Sequence, residues 1–285
     1  MNGKLCEEVR KAALIGRARA ESFLIGEYPV NLKGIGLEYT DLREYHPGDD
    51  YRRIDWRVSA RIGLGLGKLF VKEYRTEKMV RLAYLLDLTA SMSFKKKIKT
   101  LAFTVAFHAR LSEALRDEVA VLTISDKVRV RSFSRPTAAL VDILETACKG
   151  NIQGALDLSD AMPEILNLAR GIPVAVYTDY ANTADSYSRI AKAILASGGN
   201  LKFYVFVTAS EREPASWKWE LPLTESELSS LSLQSIEDFS REVKKHIALV
   251  KSLTPYRSII EVPVTSIDPP LIPLLTSYLA LRSSA

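Results

Sequence analysis

The chain has 285 residues, of which 39 are basic and 34 acidic, and its formal charge at pH 7 is +5. Apolar residues make up 47% and charged residues 26%, proportions typical of a soluble globular protein. This length suffices for one large domain or two modest ones. Basic and acidic residues are interspersed, so the charge does not indicate a nucleic-acid partner.

The first residues and the cysteines predict a cytoplasmic protein. The segment 1–8 lacks the apolar core of a signal peptide. The longest apolar stretches, Leu101–Ala109 and Pro269–Leu281, are too short to span a bilayer, so we expect no transmembrane segment. Cys6 and Cys148 show neither metal nor disulfide spacing, which favours a reducing compartment.

The first 78 residues predict a helix followed by a small subdomain. Apolar residues recur with helical period from Lys4 to about Ile25. Residues 30–78 are rich in Gly, Arg, acidic and aromatic residues without a helical period, which favours a β-rich subdomain. Its expected elements are a turn at 46–49, a hairpin around 63–67 and a strand over 68–74.

From residue 80 onward, strand patterns alternate with helix patterns. The predicted strands are Val80–Leu86, Val119–Ile124, Val128–Phe133, Pro173–Thr178, Leu201–Thr208 and Ile259–Val262. The predicted helices are Lys95–Arg116, Thr137–Cys148, Leu156–Ala169, Ser186–Ala196, Glu225–Leu253 and Leu271–Leu281. The second and third strands form a hairpin, and the alternation predicts an α/β fold with a doubly wound, mostly parallel sheet. We therefore divide the chain into an N-terminal helix (1–29), a β-rich subdomain (30–78) and an α/β domain (79–285).

Two of these strands end in carboxylates. Asp87 follows the first strand, with Thr89 and Ser91 just beyond it, and Asp179 follows the fourth. In the strand order 3-2-1-4-5-6 these two strands are neighbours, so the four side chains meet at the solvent edge of the sheet. Hard oxygen ligands of this kind suit Mg²⁺ or Mn²⁺. The alternative is that Asp87 and Ser91 cap the next helix, whose lysine run, Lys95–Lys97, predicts a solvated start.

A second charged region lies between Glu38 and Arg61, where acids alternate with arginines. Because guanidinium groups pair with carboxylates through two parallel hydrogen bonds, we interpret it as an internal network anchored by a core tryptophan. Its members are Arg43, Glu44, Asp49, Asp50, Arg52, Asp55, Trp56 and Arg61. The alternative is a hydrolase or nuclease centre at Asp49, Asp50 and Asp55.

Both regions resemble known families. The run Asp87-x-Thr89-x-Ser91 resembles the metal-ion-dependent adhesion motif of von Willebrand factor A domains, in which an Asp after the fourth strand, here Asp179, completes the site. The stretches 36–39, 42–50, 52–56 and 60–61 look like domain-of-unknown-function family fifty-eight. Its members are similar to A domains and commonly occur with MoxR-type AAA+ ATPases. The resemblance runs from about residue 34 to 180. The family's third-loop Thr is missing, because residues 149–154 contain no hydroxyl.

The resemblance implies a non-enzymatic, metal-dependent interaction adaptor. Its expected partner is a MoxR-type AAA+ ATPase or a client of that ATPase, with a role in complex maturation or chaperone activity. Two alternatives stay open. One is a metal-free binding scaffold with a degenerate adhesion site, which the missing Thr favours. The other is the metal-dependent hydrolase or nuclease described above.

Overall fold

The structure is a computed structural model that describes residues 2–25, 39–46, 54–63, 68–74, 79–150, 152, 154, 156–168, 170–212, 233–265 and 268–284. The chain forms two compact units. The larger comprises Met1–Ser22 and Val80–Ala285, and the smaller comprises Phe23–Met79. The division into 1–29, 30–78 and 79–285 stays a prediction.

The larger unit is built on a mixed sheet of six strands, which confirms the predicted α/β class. Its strands are β3 (Arg81–Asp87), β4 (Glu118–Ile124), β5 (Val128–Ser134), β6 (Val174–Thr178), β7 (Leu201–Val207) and β8 (Ile259–Pro263). Their order is β5-β4-β3-β6-β7-β8, and only the β4–β5 hairpin pairs antiparallel. The strand order is the predicted one, so β3 and β6 are neighbours.

Helices cover both faces of this sheet. The helices that belong wholly or mostly to this unit are α1 (Asn2–Leu24), α3 (Lys97–Ala114), α4 (Ala138–Lys149), α5 (Met162–Leu168), α6 (Ala184–Ala196), α7 (Ala209–Arg212), α8 (Leu233–Leu253) and α9 (Leu271–Arg282). The central strands β3, β4, β6 and β7 are mostly apolar and buried because both of their faces are covered, whereas β5 at one edge is largely exposed and contains Arg129 and Arg131. Ala83 and Leu85 share one buried cluster with Ile190 of α6 and Val250 of α8. On β3 the intervening Tyr84 makes ring contacts with Tyr278 of α9.

The smaller unit contains a two-stranded antiparallel sheet. Its strands are β1 (Tyr39–Glu44) and β2 (Phe70–Tyr74), and Ile54 adds a bridge to β2 at Val71. The expected strand over 68–74 is therefore present. Helix α2 (Trp56–Val58) continues into a π-helical turn over Ser59–Gly63. This part of the subdomain, which we predicted to be β-rich, is therefore helical. Of the predicted turn over 46–49, only His46 is among the described residues. Of the predicted hairpin over 63–67, only Gly63 is described.

A disulfide joins helix α1 to α4 within the larger unit. Cys6 bonds to Cys148 at the end of α4, with Cα atoms 4.4 Å apart and a sequence separation of 142. The expectation of unpaired cysteines is therefore wrong, and the argument for a reducing compartment loses its basis. Two cysteines so far apart carry no spacing signal, since only the fold brings them together.

A close helix contact also holds α1. A Cβ on Gly16 would lie 2.2 Å from the carbonyl oxygen of Phe103 on α3, so a side chain there would force the helices apart. Arg17 pairs with Glu113 of α3 at 3.1 Å, and Glu8 pairs with Lys96 at 2.6 Å. Among the described helices, none combines the length and the apolar character needed to cross a membrane.

Candidate functional site

The ends of β3 and β6 bring the four predicted side chains to one edge of the sheet. Leu86 of β3 pairs with Tyr177 of β6, so the residues after each strand emerge side by side. We call the group Asp87, Thr89, Ser91 and Asp179 the carboxyl-edge cluster. Its carboxylates are buried, with Asp87 1% and Asp179 0% exposed, and do not lie at the solvent edge as predicted.

Asp87 is fully engaged in hydrogen bonds. Its Oδ1 accepts from the backbone N–H of Thr89 at 3.0 Å and from the Thr89 hydroxyl at 2.6 Å. Its Oδ2 accepts from the Thr178 hydroxyl at 2.7 Å and from Nδ2 of Asn182 at 2.9 Å. An ionised carboxylate has about four acceptor positions. Asp87 therefore uses the whole of its acceptor capacity within the protein.

Asp179 is linked to Asp87 through hydroxyl groups. The Ser91 hydroxyl lies 3.2 Å from the Thr89 hydroxyl and donates to Oδ1 of Asp179 at 3.1 Å. The same Oδ1 accepts from the backbone N–H of Ala181 at 3.0 Å. The two carboxylates thus belong to one continuous network.

A buried lysine completes the network. The Lys97 ammonium donates to Oδ2 of Asp179 at 2.7 Å and to Oε1 of Glu211 at 2.6 Å. Its side chain is 3% exposed, and the Phe94 ring centroid lies 5.7 Å from Nζ. The prediction that the lysine run starts a solvated helix is therefore wrong for Lys97.

The backbone conformation at Lys96 separates two adjacent lysines. Lys96 has φ of 60° between a 3₁₀ turn (Ala90–Lys96) and α3, a left-handed conformation that costs a non-glycine residue about 1 kcal/mol or more. Lys96 is exposed and pairs with Glu8, whereas Lys97 is buried against Asp179. The helix therefore begins with one lysine outside the protein and the next one inside.

The charges of the site shift two pKa values. Burial raises the pKa of Asp87, and the nearby charge of Asp179 raises it further, although hydrogen bonds from Thr89 and Thr178 act in the opposite direction. Burial lowers the pKa of Lys97, but Asp179 and Glu211 outweigh it, so its pKa is raised overall. Lys97 is therefore a protonated cation at neutral pH.

As arranged, these residues do not fit a divalent ion. Asp87 has no acceptor position left, and Oδ2 of Asp179 already faces the Lys97 ammonium. A metal would have to break these hydrogen bonds and share the site with a like charge. In the described part of the chain, no group of three or more His, Cys, Asp or Glu side chains could hold a metal ion.

The capping alternative is wrong as well. No side-chain hydrogen bond caps the 3₁₀ turn or α3. Gly154 instead supports the loop after β3, since its carbonyl accepts from the backbone N–H of Ala90 at 3.1 Å. Gly154 has φ of 138°, and a Cβ there would lie 2.2 Å from the backbone of Ser125. Only glycine fits this position. Asn151 and Gln153, the two amide side chains of the loop that lacks the family's Thr, lie outside the described residues.

The described members of the predicted Arg/acid network make other contacts than the predicted Arg–carboxylate pairs. Glu44 pairs with Lys68 at 2.9 Å, and Asp55 caps α2 by accepting from the backbone N–H groups of Arg57 and Val58. Trp56 is 63% exposed, so its prediction as a core anchor is wrong, and Arg61 is exposed too. Asp49, Asp50 and Arg52, and the side chain of Arg43, lie outside the described residues.

A second buried polar cluster lies on the face of the sheet that α9 covers. We call it the tyrosine–histidine cluster, and its members are Tyr84, His108, Ser112, Tyr177, Tyr204 and Tyr278. The Leu274 carbonyl can only accept, so Nε2 of His108 carries the proton and Nδ1 accepts from the Tyr177 hydroxyl at 2.9 Å. Burial lowers the pKa of His108 to about 3, and the cluster is therefore neutral.

The comparison with family sequences identifies the chain. The sequence profile described as "Protein of unknown function DUF58" matches residues 41–194, more than half of the chain. The chain belongs to the DUF58 family. This confirms the resemblance found from residues 34–180. The DUF58 match includes Asp87, Lys97 and Asp179 but ends before Glu211.

Solved structures similar to this chain include a conserved hypothetical protein. The chain is similar to the conserved hypothetical protein BatB from Bacteroides thetaiotaomicron, with 14% identity and a TM-score of 0.38. The similarity covers 72% of this DUF58 chain and 96% of BatB. None of the curated proteins matches.

Four members of the site were not predicted from the sequence. They are Lys97, Thr178, Asn182 and Glu211. Thr178 ends β6 and Asn182 lies in the loop after it, on either side of Asp179, so their polar character was a usable signal. Glu211 lies beyond β7, and nothing in its sequence context separates it from a surface glutamate.

Proposed function

We propose that this DUF58 protein is a non-enzymatic interaction adaptor that docks a partner protein at the carboxyl edge of its sheet. One observation carries the proposal. The Lys97 ammonium lies between Asp179 and Glu211, beside the hydroxyl network of Thr89 and Ser91, so the edge is ordered by a charge of the protein itself. This supports the metal-free scaffold that the sequence left as an alternative.

The chemistry of the site argues against catalysis. A lysine that acts as a base or nucleophile needs a lowered pKa, whereas the pKa of Lys97 is raised. Asp87 has no acceptor position left for a substrate proton. Asp55, from the proposed hydrolase centre, accepts hydrogen bonds as a helix cap. None of these groups is poised to react.

The partner follows from the family resemblance. We propose a MoxR-type AAA+ ATPase or its client, with a role in complex maturation or chaperone activity. Exposed Ala90 and half-buried Ser91 lie at the edge over the buried charges. A partner can therefore contact this loop while Lys97 and Asp179 stay in place. This geometry favours binding that does not depend on added metal.

The experiment compares two Ala→Arg substitutions on the same unit. Ala90 and Ala114 are both exposed, but Ala90 lies at the carboxyl edge and Ala114 at the far end of α3. We expect Ala90→Arg to weaken binding to a purified MoxR-type ATPase at least about tenfold, about 1.4 kcal/mol. Ala114→Arg should bind like the wild type. Equal binding by both variants would contradict the edge as the docking face.

A metal-dependent adaptor is the second candidate, and one observation favours it. When ionised, Asp87, Asp179 and Glu211 carry three negative charges against the single positive charge of Lys97. A Mg²⁺ or Mn²⁺ ion that displaced some of the hydrogen bonds of the carboxyl-edge cluster would balance that excess. Calorimetric titration of the wild type with each ion separates the candidates, because saturable binding would favour the metal-dependent adaptor.

A further inference from the structure

The strongest unexplained feature is a buried lysine in a site whose sequence pattern predicts a metal. Lys97 is 2% exposed as a whole residue, and lysine is almost never buried without a partner. Its ammonium contacts Asp179 of the β6 end and Glu211 of α7. One cation therefore joins three separate parts of the chain, namely α3, the loop after β6 and α7.

The ammonium occupies one oxygen of the carboxylate that the adhesion-type pattern assigns to a metal ion. Oδ2 of Asp179 faces Lys97, while Oδ1 faces Ser91, the last hydroxyl of the adhesion-type run. A cation bound to Oδ2 of Asp179 would overlap Nζ of Lys97 or lie against it. Like charges at that distance repel strongly in a buried site.

Glu211 is fixed for this contact by its own loop. Its Oε2 accepts from the backbone N–H of Thr208 at 2.7 Å and from the Thr208 hydroxyl at 2.9 Å, while its Oε1 accepts from Lys97. The side chain is 17% exposed, so the ammonium is closed off from one side by a carboxylate that already has partners. The ammonium is thus held by prearranged groups.

We infer that the Lys97 ammonium is the resident cation of the adhesion-type site, taking the place of a divalent ion, and that its removal opens a latent metal site. The inference deepens the proposed function, because it concerns how the same edge is ordered. It follows that the wild-type edge is metal-independent. Once Lys97 is truncated, Asp179 and Glu211 are left without a counter-charge and with space where the ammonium was.

The test is the melting temperature of wild type and Lys97→Ala, each in chelator and in increasing Mg²⁺ or Mn²⁺. An ion that binds only the folded state raises the melting temperature with its concentration. We expect no change for the wild type. Lys97→Ala should melt about 10 °C lower in chelator and recover with added ion. Wild-type stabilisation by either ion, or no recovery of a folded Lys97→Ala, would overturn the inference.

A second buried ion pair supplies the matched control. Arg282 donates to both oxygens of Asp117, at 2.8 and 3.1 Å, in the same unit. Arg282→Ala also leaves a buried carboxylate, that of Asp117, without its main cation. Asp117 does not belong to the adhesion-type run of hydroxyl residues. We expect Arg282→Ala to lose stability without any recovery on adding Mg²⁺ or Mn²⁺. Equal recovery of both variants would show a non-specific ion effect and overturn the inference.

A double variant decides the case in which Lys97→Ala does not fold. Lys97→Met with Asp179→Asn removes the ammonium and its most buried partner together. Glu211 retains the Thr208 contacts and partial exposure. We expect this double variant to fold without metal, and failure to fold would overturn the inference. None of these measurements involves a partner protein, so loss of the docking proposal at Ala90 would leave this result unaffected.

Discussion

The two buried polar clusters of the larger unit offset the cost of burying polar groups in different ways. The tyrosine–histidine cluster excludes charge, because burial keeps His108 neutral and its ring nitrogens both find partners. The carboxyl-edge cluster contains buried carboxylates and balances them with Lys97. A neutral cluster is sufficient for packing. Buried charges are costly, and their position beside an exposed loop is why we propose the edge as the docking face.

The largest loss of stability is expected from removing a charge of the carboxyl-edge cluster. Asp179→Ala leaves Lys97 with Glu211 alone and deprives Ser91 of its acceptor. We expect a loss of about 3–5 kcal/mol in the free energy of unfolding, measured with urea. Asp179→Asn keeps an acceptor for Ser91 and should lose less. A loss below about 1 kcal/mol for Asp179→Ala would mean that the ion pair is not buried in solution.

The neutral cluster should show itself through pH. The pKa of His108 is about 3 in the folded state against an ordinary value of 6.5, so the unfolded state binds the proton first as the pH falls. Stability from this group is complete above pH 6.5 and falls by about 1.4 kcal/mol per pH unit towards pH 3. His108→Phe should flatten the stability profile between pH 6.5 and 4. Parallel profiles for variant and wild type would contradict a buried neutral imidazole.

A hydroxyl deletion in the neutral cluster should have a smaller effect. The Tyr278 hydroxyl lies 2.6 Å from the Tyr84 hydroxyl and also bonds Ser112. Tyr278→Phe leaves these buried groups with one partner fewer, which costs about 1–3 kcal/mol in the free energy of unfolding. Thermal or urea unfolding measures the loss. A variant as stable as the wild type would show that the hydroxyls are satisfied by other means.

The smallest effect is expected where the charged cluster approaches solvent. Ser91→Ala removes one hydroxyl bridge, but Oδ1 of Asp179 keeps the backbone N–H of Ala181. Because Ser91 is only half-buried, we expect a loss of about 1 kcal/mol or less. Partner binding at the edge should fall more than stability does. A loss as large as that of Asp179→Ala would make Ser91 a structural residue of the core.

The sequence predicts the sheet well because one signal is local and the other is a general rule of sheet topology. Continuous apolar runs mark buried strands such as β3 and β6, and the order of a doubly wound sheet places Asp87 beside Asp179. It does not predict Lys97, since a run of three lysines has no periodicity that shows which one is buried. The left-handed backbone conformation of Lys96 at the start of α3 separates the exposed Lys96 from the buried Lys97. Cys6 and Cys148 meet through tertiary packing, which leaves no local pattern.

The most direct test of the account is an NMR correlation spectrum of the lysine ammonium groups in excess chelator. A buried ammonium paired with two carboxylates is protected from proton exchange with water, whereas exposed lysines exchange rapidly. We predict a protected resonance that Lys97→Met removes and that added Mg²⁺ leaves unchanged. A Lys97 resonance that is missing in chelator, or that is lost when Mg²⁺ is added, would contradict the claim that this lysine is the resident cation of the site.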